Sequence, residues 1–290
     1  MNLLLQSAML RVQPIATLDA PELAPYRTLR RQLEHRAQGI FVAEGEKVVR
    51  RLLESSLPVV SLLLPAKWLG EYETLCAARP EEIDVYVAEK ALLETLTGFS
   101  MYQGVLAMGR VPPEPGLEGI LKTERRPWLF VAADGLSNAE NLGALVRNCG
   151  AFGVQGLLVS GTSASPFLRR AVRSSMGVIF RLPVVEGLQL PEALDRLRAA
   201  GVRCVAAHPR TNQRFLTQAD FTGDCCIVFG SEGAGLSPEV LAACDEAAAI
   251  PMAAGVDSVN VGSAAAVFLY EARRQRGEPP GLSAAKLLSK

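Results

Sequence analysis

Six short apolar runs recur through the second half of the chain: WLFVAADG from 128, GLLVSG from 156, RLPVV from 181, RCVAAHP from 203, CCIVFG from 225 and AAAIPM from 247. Helical patterns fill the intervals, at about 141–152, 166–176, 191–200, 237–244 and 262–276. Apolar strands joined by helices imply a largely parallel sheet covered on both faces. In such a sheet the loops beyond the carboxyl ends of the strands are where ligands gather. Function is therefore sought first in those loops.

The first half is less regular. Residues 26–38 (YRTLRRQLEHRAQ) read as a helix, 39–45 (GIFVAEG) as a strand, 46–55 as a helix and 59–65 (VVSLLLP) as a buried strand, and the alternation continues to about 111. That describes a small α/β sandwich. Between the halves, RVPPEPGLEGILKTERRP (110–127) is rich in proline, glycine and charge, which suits a linker and not a core element. The expected organisation is a first domain over 1–110, a linker over 111–126, a second domain over 127–277 and a tail over 278–290. A chain of 290 residues, 49% hydrophobic and 21% charged, can fill two such cores.

Composition removes several function classes. Thirty basic residues balance thirty acidic ones, so a nucleic acid would have to be met by a local patch. The six cysteines show neither CxxC pairs nor zinc spacing and read as buried, reduced thiols of a cytoplasmic protein. With His35 and His208 as the only histidines, no metal site is expected. The opening MNLLLQSAML has neither a basic n-region nor the length to span a membrane.

Three polar, glycine-bearing clusters follow strands. In the first (136–153), Leu142, Leu145, Val146 and Cys149 share one helical face, with Arg147 roughly opposite. Asn138 and Asn141 suit turn and cap positions, and Gly143 implies a close approach by another backbone or a ligand. The second, GSEGAGLSPEV (230–240), is neither GxGxxG nor a Walker loop. It would hold Glu232 over the end of the sheet, and Ser237-Pro238 would start a helix. The third follows IPM (250–252): Asp257, Ser258 and Asn260 precede Gly262, Ser263 and an alanine run. Any one of these could be an ordinary helix cap. Three at the strand ends of one sheet are harder to explain that way.

Taken together they resemble the SpoU family of RNA ribose 2'-O-methyltransferases. Its first motif, N-x-x-N-x-G-x-x-x-R, is matched by Asn138, Asn141, Gly143 and Arg147. Its second, G-x-E-x-x-G-L, is matched by Gly230, Glu232, Gly235 and Leu236, and its third by IPM, SVNV and FLYE. Residues 163–184, with Arg173, Ser175 and Gly177, also look like the family. FVAEGEKVV (41–49) and YQGVLAMGRV (102–111) suggest the small RNA-binding α/β domain that many members carry. Three positions depart from the pattern: Ala139 stands for proline, Val259 for leucine, and Gly262 for serine or alanine.

The resemblance implies a trefoil-knotted parallel-sheet domain behind a smaller N-terminal RNA-binding α/β domain, working as a homodimer. It implies S-adenosylmethionine as cofactor, held by Gly230, Gly235, Leu236, Ile250, Met252, Val259 and Ala264, with no metal. It also implies a catalytic group of Arg147, Asn141, Glu232, Ser258 and Asn260. A guanidinium donates hydrogen bonds and does not accept them, so binding phosphate and steadying an alkoxide suit Arg147 better than proton removal. Glu232 is the motif residue that can take a proton. RNA would be held by Arg27, Arg30, Arg31 and Arg36 in front and Arg169, Arg170 and Arg173 behind, although the first group also fits a solvated helix face. Ribosomal RNA is the expected substrate. The alternatives are a transfer-RNA enzyme, a resistance methyltransferase acting at a ribosomal drug site, and a non-catalytic RNA-binding protein on the same fold.

Overall fold

The structure, a computed structural model, describes residues 10–29, 32–97, 104–209 and 214–277. It divides into two compact units. The first takes the chain up to Pro113 together with Pro166–Arg181, and the second takes Glu114–Ser165 and the chain from Leu182.

The first unit contains β1 (Arg11–Pro14), α1 (Ala24–Arg27), α2 (Gln32–Ala37), β2 (Ile40–Glu44), α3 (Glu46–Leu53), β3 (Val59–Leu64), α4 (Leu69–Ala77), β4 (Asp84–Val87), α5 (Lys90–Thr97) and β5 (Leu106–Arg110). Its five-stranded sheet runs β1-β4-β3-β5-β2, parallel from β1 to β3 and antiparallel across β5. The helix expected over 26–38 is two short ones. The Thr28 hydroxyl turns back onto the Ala24 carbonyl (3.1 Å) and Tyr26 is buried with its hydroxyl against Ser61 (2.8 Å), so the chain bends there. The all-exposed edge strand β1 was not anticipated.

Residues 166–181 belong to this unit through aromatic packing. Phe167 and Phe180 lie against Phe41 of β2, with ring centres 5.6 and 5.4 Å apart. Gly109 of β5 leaves room for the Phe41 ring, which an added Cβ would overlap.

The second unit adds, in chain order, α6 (Gly116–Thr123), β6 (Leu129–Ala133), α7 (Ala139–Phe152) and β7 (Gly156–Ser160). After α8 (Arg169–Ser174), which sits in the first unit, come β8 (Val184–Leu188), α9 (Leu190–Ala199), β9 (Arg203–Ala207), β10 (Arg214–Phe215), β11 (Cys225–Phe229), α10 (Pro238–Ala242), β12 (Glu246–Ala249) and α11 (Val261–Arg276). The sheet is parallel throughout, in the order β10-β12-β9-β11-β6-β7-β8. Each expected strand of this half is present, and β10 is an additional two-residue edge strand.

Residues 110–127 are not simply a linker. Gly116–Thr123 is a helix whose Leu117 and Ile120 are buried with Trp128, Phe130, Leu158 and Leu194. Ile120 sits over Gly156, where an added Cβ would lie 3.0 Å from it. One apolar stripe is enough to seat a short helix, whatever the composition around it.

On α7 the face expected to be buried is buried, and Arg147 is exposed. Helices α7 and α11 pack closely: a Cβ on Gly262 would lie 3.0 Å from that of Ala144, and the Asn148 side chain donates to the Gly262 carbonyl (2.6 Å). Glycine at the departing position 262 thus serves helix contact.

Candidate functional site

The three sequence clusters meet at the carboxyl ends of β6, β11 and β12. After β11, Ser231 and Gly235 exchange backbone hydrogen bonds (2.9 and 3.0 Å) and close a tight turn with Glu232 on it. Gly230 has no alternative, because a Cβ there would overlap the Gly235 carbonyl group and the Leu236 nitrogen. Gly235 has φ of +72°, a left-handed conformation open to glycine at little cost. Asp134, only 7% exposed just past β6, accepts both the backbone N–H and the hydroxyl of Ser237 at 2.8 Å each. It clips the far side of the glycine turn to the neighbouring strand. Sequence reasoning passed over Asp134; the one signal was an acidic residue straight after an apolar strand.

Asn138 caps α7, its side-chain oxygen accepting from the backbone of Glu140 (2.8 Å) and Asn141 (3.2 Å). The cap holds with Ala139 in place of proline. Asn260 caps α11 by accepting from Gly262 (2.8 Å). Its side-chain nitrogen donates to Oδ1 of Asn141 (3.1 Å) and Oε1 of Glu232 (2.6 Å). One carboxamide therefore joins all three clusters. Among the described residues, Arg147 has no hydrogen-bond or ion-pair partner, so its guanidinium is uncommitted.

Beside this junction lies a cleft of about 550 Å³. That is within the ~300–1,000 Å³ range of small-molecule sites. Its apolar wall includes Ile250, Met252, Val259, Ala264 and Phe268, and its rim the backbone of residues 230–235. The polar lining includes His208, Glu232, Asp257 and Ser258. Among the described residues no cysteine lines it, and the thiols at the opposite, amino end of β11 are poorly suited to attack. Burial raises Cys225 to about 11, and Cys226 is raised by its hydrogen bond with Cys204 and by burial.

Residues 128–270 match the model of the SpoU rRNA Methylase family. An uncharacterized tRNA/rRNA methyltransferase of Mycobacterium bovis is 31% identical over 272 residues, covering 91% of this chain and 93% of that protein. The chain belongs to the SpoU rRNA methylase family.

Solved SpoU structures agree. The SpoU methyltransferase AviRb from Streptomyces viridochromogenes is 30% identical with a TM-score of 0.74, over 87% of this chain and 96% of that one. It has also been solved in complex with the cofactor AdoMet. A structure described as an RNA 2'-O ribose methyltransferase is 27% identical with a TM-score of 0.72, over 92% of this chain and 99% of that one. The fold of the second unit is accordingly the trefoil-knotted α/β sheet of this family.

Of the residues assigned to the cofactor, Gly230, Gly235, Ile250, Met252, Val259 and Ala264 line the cleft of this SpoU protein. Leu236 is instead buried in the core under the sheet. Of the catalytic set, Glu232 and Ser258 line the cleft, and Asn141 and Asn260 are joined to Glu232.

The arginines assigned to RNA from two distant stretches of the sequence fall in one unit. Arg30 and Arg31 lie outside the described residues. Arg27 donates to the Leu18 carbonyl, Arg36 and Arg170 are exposed, and the Arg169 charge acts on His35 in α2. Arg169 and Arg173 both pair with the buried Glu44. Arg169 is spent there, 14% exposed, whereas Arg173 keeps 56% of its side chain open.

Proposed function

We propose that this SpoU protein is an S-adenosylmethionine-dependent methyltransferase acting on a ribose 2'-hydroxyl of ribosomal RNA. The observation that carries the reading is the junction of Asn141, Glu232 and Asn260 beside the apolar cleft. AviRb in complex with AdoMet and the 2'-O ribose methyltransferase neighbour support it.

The cleft suits the cofactor. Ile250, Met252, Val259 and Phe268 offer apolar surface to a purine, and the glycine turn brings backbone within reach of a bulky ligand. AdoMet supplies an electrophilic methyl group on a sulfonium. The 2'-oxygen would form the new C–O bond as the S–C bond breaks and leaves a thioether, and the hydroxyl proton must go elsewhere. Glu232 is the acceptor, held by the amide of Asn260. Arg147, exposed and uncommitted, binds the adjacent phosphate and steadies the developing alkoxide by donating to it. Asn141 and Ser258 orient the nucleotide.

RNA is gathered by the first unit through Arg36, Arg170 and Arg173. The protein works as a homodimer through the knotted unit, where Val259, Val267 and Tyr270 are exposed and Phe152 meets Tyr270 edge-on.

The test is transfer from methyl-labelled AdoMet to separate pools of unmodified ribosomal and transfer RNA, followed by alkaline digestion. Label in alkali-resistant dinucleotides from ribosomal RNA, lost in Arg147→Ala without loss of fold, is expected. Label in mononucleotides would mean base methylation, and label confined to the transfer-RNA pool would reassign the substrate.

A further inference from the structure

Asp134 bonds to the chain on both sides of the glycine turn. Its backbone N–H donates to the carbonyl of Phe229 (2.8 Å), the last residue of β11 before the turn. Its Oδ2 accepts the N–H and the hydroxyl of Ser237, just after the turn, at 2.8 Å each. One residue past β6 thus brackets residues 230–236 from entry to exit. Gly135 backs the same turn, since an added Cβ there would lie 3.8 Å from that of Ser231. The loop carrying Asp134 is fixed in turn to the end of β7. The Gly135 N–H donates to the Ser160 hydroxyl (3.1 Å) and the Leu136 N–H to that of Ser163 (3.0 Å).

Ser237 stands at the N-cap of α10, where a serine hydroxyl ordinarily accepts from the free N–H groups of its own helix. Among the described residues it makes no such bond, and its hydroxyl is donated to Asp134. A side chain used this way holds the turn to the neighbouring strand and leaves the helix end uncapped. What the turn presents is Glu232, whose Oε1 takes the Asn260 amide (2.6 Å). That amide fixes the tip of the side chain and not the backbone beneath it. A proton acceptor works only within ~0.5 Å of its productive place, so the backbone must be held as well.

We infer that Asp134 is a positioning residue for methyl transfer. Through Phe229 and Ser237 it sets the height of the glycine turn, and with it the place of Glu232 opposite the ribose hydroxyl. Asp134 is 7% exposed and is not part of the cleft lining, so it acts through the turn alone. The inference rests on the reading of Glu232 as the proton acceptor of this SpoU protein.

The experiment is single-turnover transfer from methyl-labelled AdoMet, at saturating cofactor, to whichever pool of unmodified RNA the full-length wild type labels. Ser237→Ala removes one bond of the pair, Asp134→Asn weakens both, and Ser237→Thr keeps the hydroxyl. Each is made alone, the first two also in a Glu232→Gln background, with thermal melts to check folding. Glu232→Gln should slow transfer about 100-fold, the low end for a lost acid–base group. Ser237→Ala and Asp134→Asn should each slow it about tenfold, the cost of a misplaced reacting group, and Ser237→Thr should keep the wild-type rate. In the Glu232→Gln background the first two should cost nothing further, because no carboxylate is left to misplace. A general structural role would instead give the same loss in both backgrounds, and that result would overturn the inference. So would wild-type rates in Ser237→Ala and Asp134→Asn, a loss in Ser237→Thr equal to that in Ser237→Ala, or a wild-type rate in Glu232→Gln. A folded wild type that labelled neither RNA pool would overturn the functional reading and the inference with it, a result distinct from the others.

Discussion

At the scale of single residues, Asn260 uses both of its side-chain donors. Its amide hydrogens go to Asn141 and Glu232, and its oxygen takes the Gly262 N–H. Aspartate would keep the cap on α11 but lose both donors and set carboxylate against carboxylate. We expect Asn260→Asp to fold normally and to lose about 100-fold in methyl transfer, the usual size of a lost positioning donor. Asn260→Ala should lose the same activity and a further ~1 kcal/mol of stability for the cap. Initial rates with chemical denaturation separate the two, and full activity in Asn260→Asp would remove the junction from the mechanism. The identities of these residues were legible because ordered motifs carry them. Their meeting was not, since 119 residues separate Asn141 from Asn260 and no local periodicity spans that distance. The contact between Asp134 and Ser237 escaped for the same reason, the two being 103 residues apart.

At the scale of elements, the central strands were legible because burial on both faces leaves continuous apolar runs, as in Cys225–Phe229. Edge strands carry no such mark: β1 is exposed along its length and β10 is two exposed residues. Helix α6 was obscured by its own composition. Helix α8 shows what sequence conceals about charge, since Arg169 and Arg173 look like a free basic patch until Glu44 is placed beneath them. Nε of Arg169 is already buried without a partner among the described residues. Removing Glu44 leaves a buried cation as well, which costs about 3 kcal/mol. Glu44→Ala should lower the stability of the first unit by that order and speed amide exchange over residues 169–174. Unchanged exchange there would mean that the aromatic contacts of Phe41 alone seat the helix.

At the scale of the whole molecule, the last turn of α11 is tied down by side chains from its own end. Arg276 donates to the carbonyls of Phe221 (2.7 Å), Gly223 (2.6 Å), Pro127 (3.1 Å) and Trp128 (2.8 Å), and Gln275 bonds the backbone of Ala219 and Phe221. Glu271 holds Arg274 and Gln275 in line, and the Arg274 guanidinium, with Gln275, draws its carboxyl down to about 2. A carboxylate depressed in the folded state gives stability that is complete above the ordinary carboxylate range and lost as pH falls toward 2. Melting temperatures of the wild type should therefore fall between about pH 4.5 and 2, and Glu271→Gln should flatten that limb by lowering the neutral melting temperature while leaving the value near pH 2 little changed. An identical acid limb in the variant would assign the loss to other carboxylates.

The excursion of Pro166–Arg181 into the first unit also bears on how the protein can be taken apart. A unit assembled from two stretches of chain has no single peptide bond at which it can be severed. Cutting after Pro113 would leave behind a segment whose Phe167, Val172 and Phe180 are buried in the intact protein, while the fragment removed would lack the partners of Phe41 and Glu44. Neither piece is a transplantable module. Recombination that exchanged the leading domain among relatives would have to carry this internal stretch along with it, so the two regions should be inherited together.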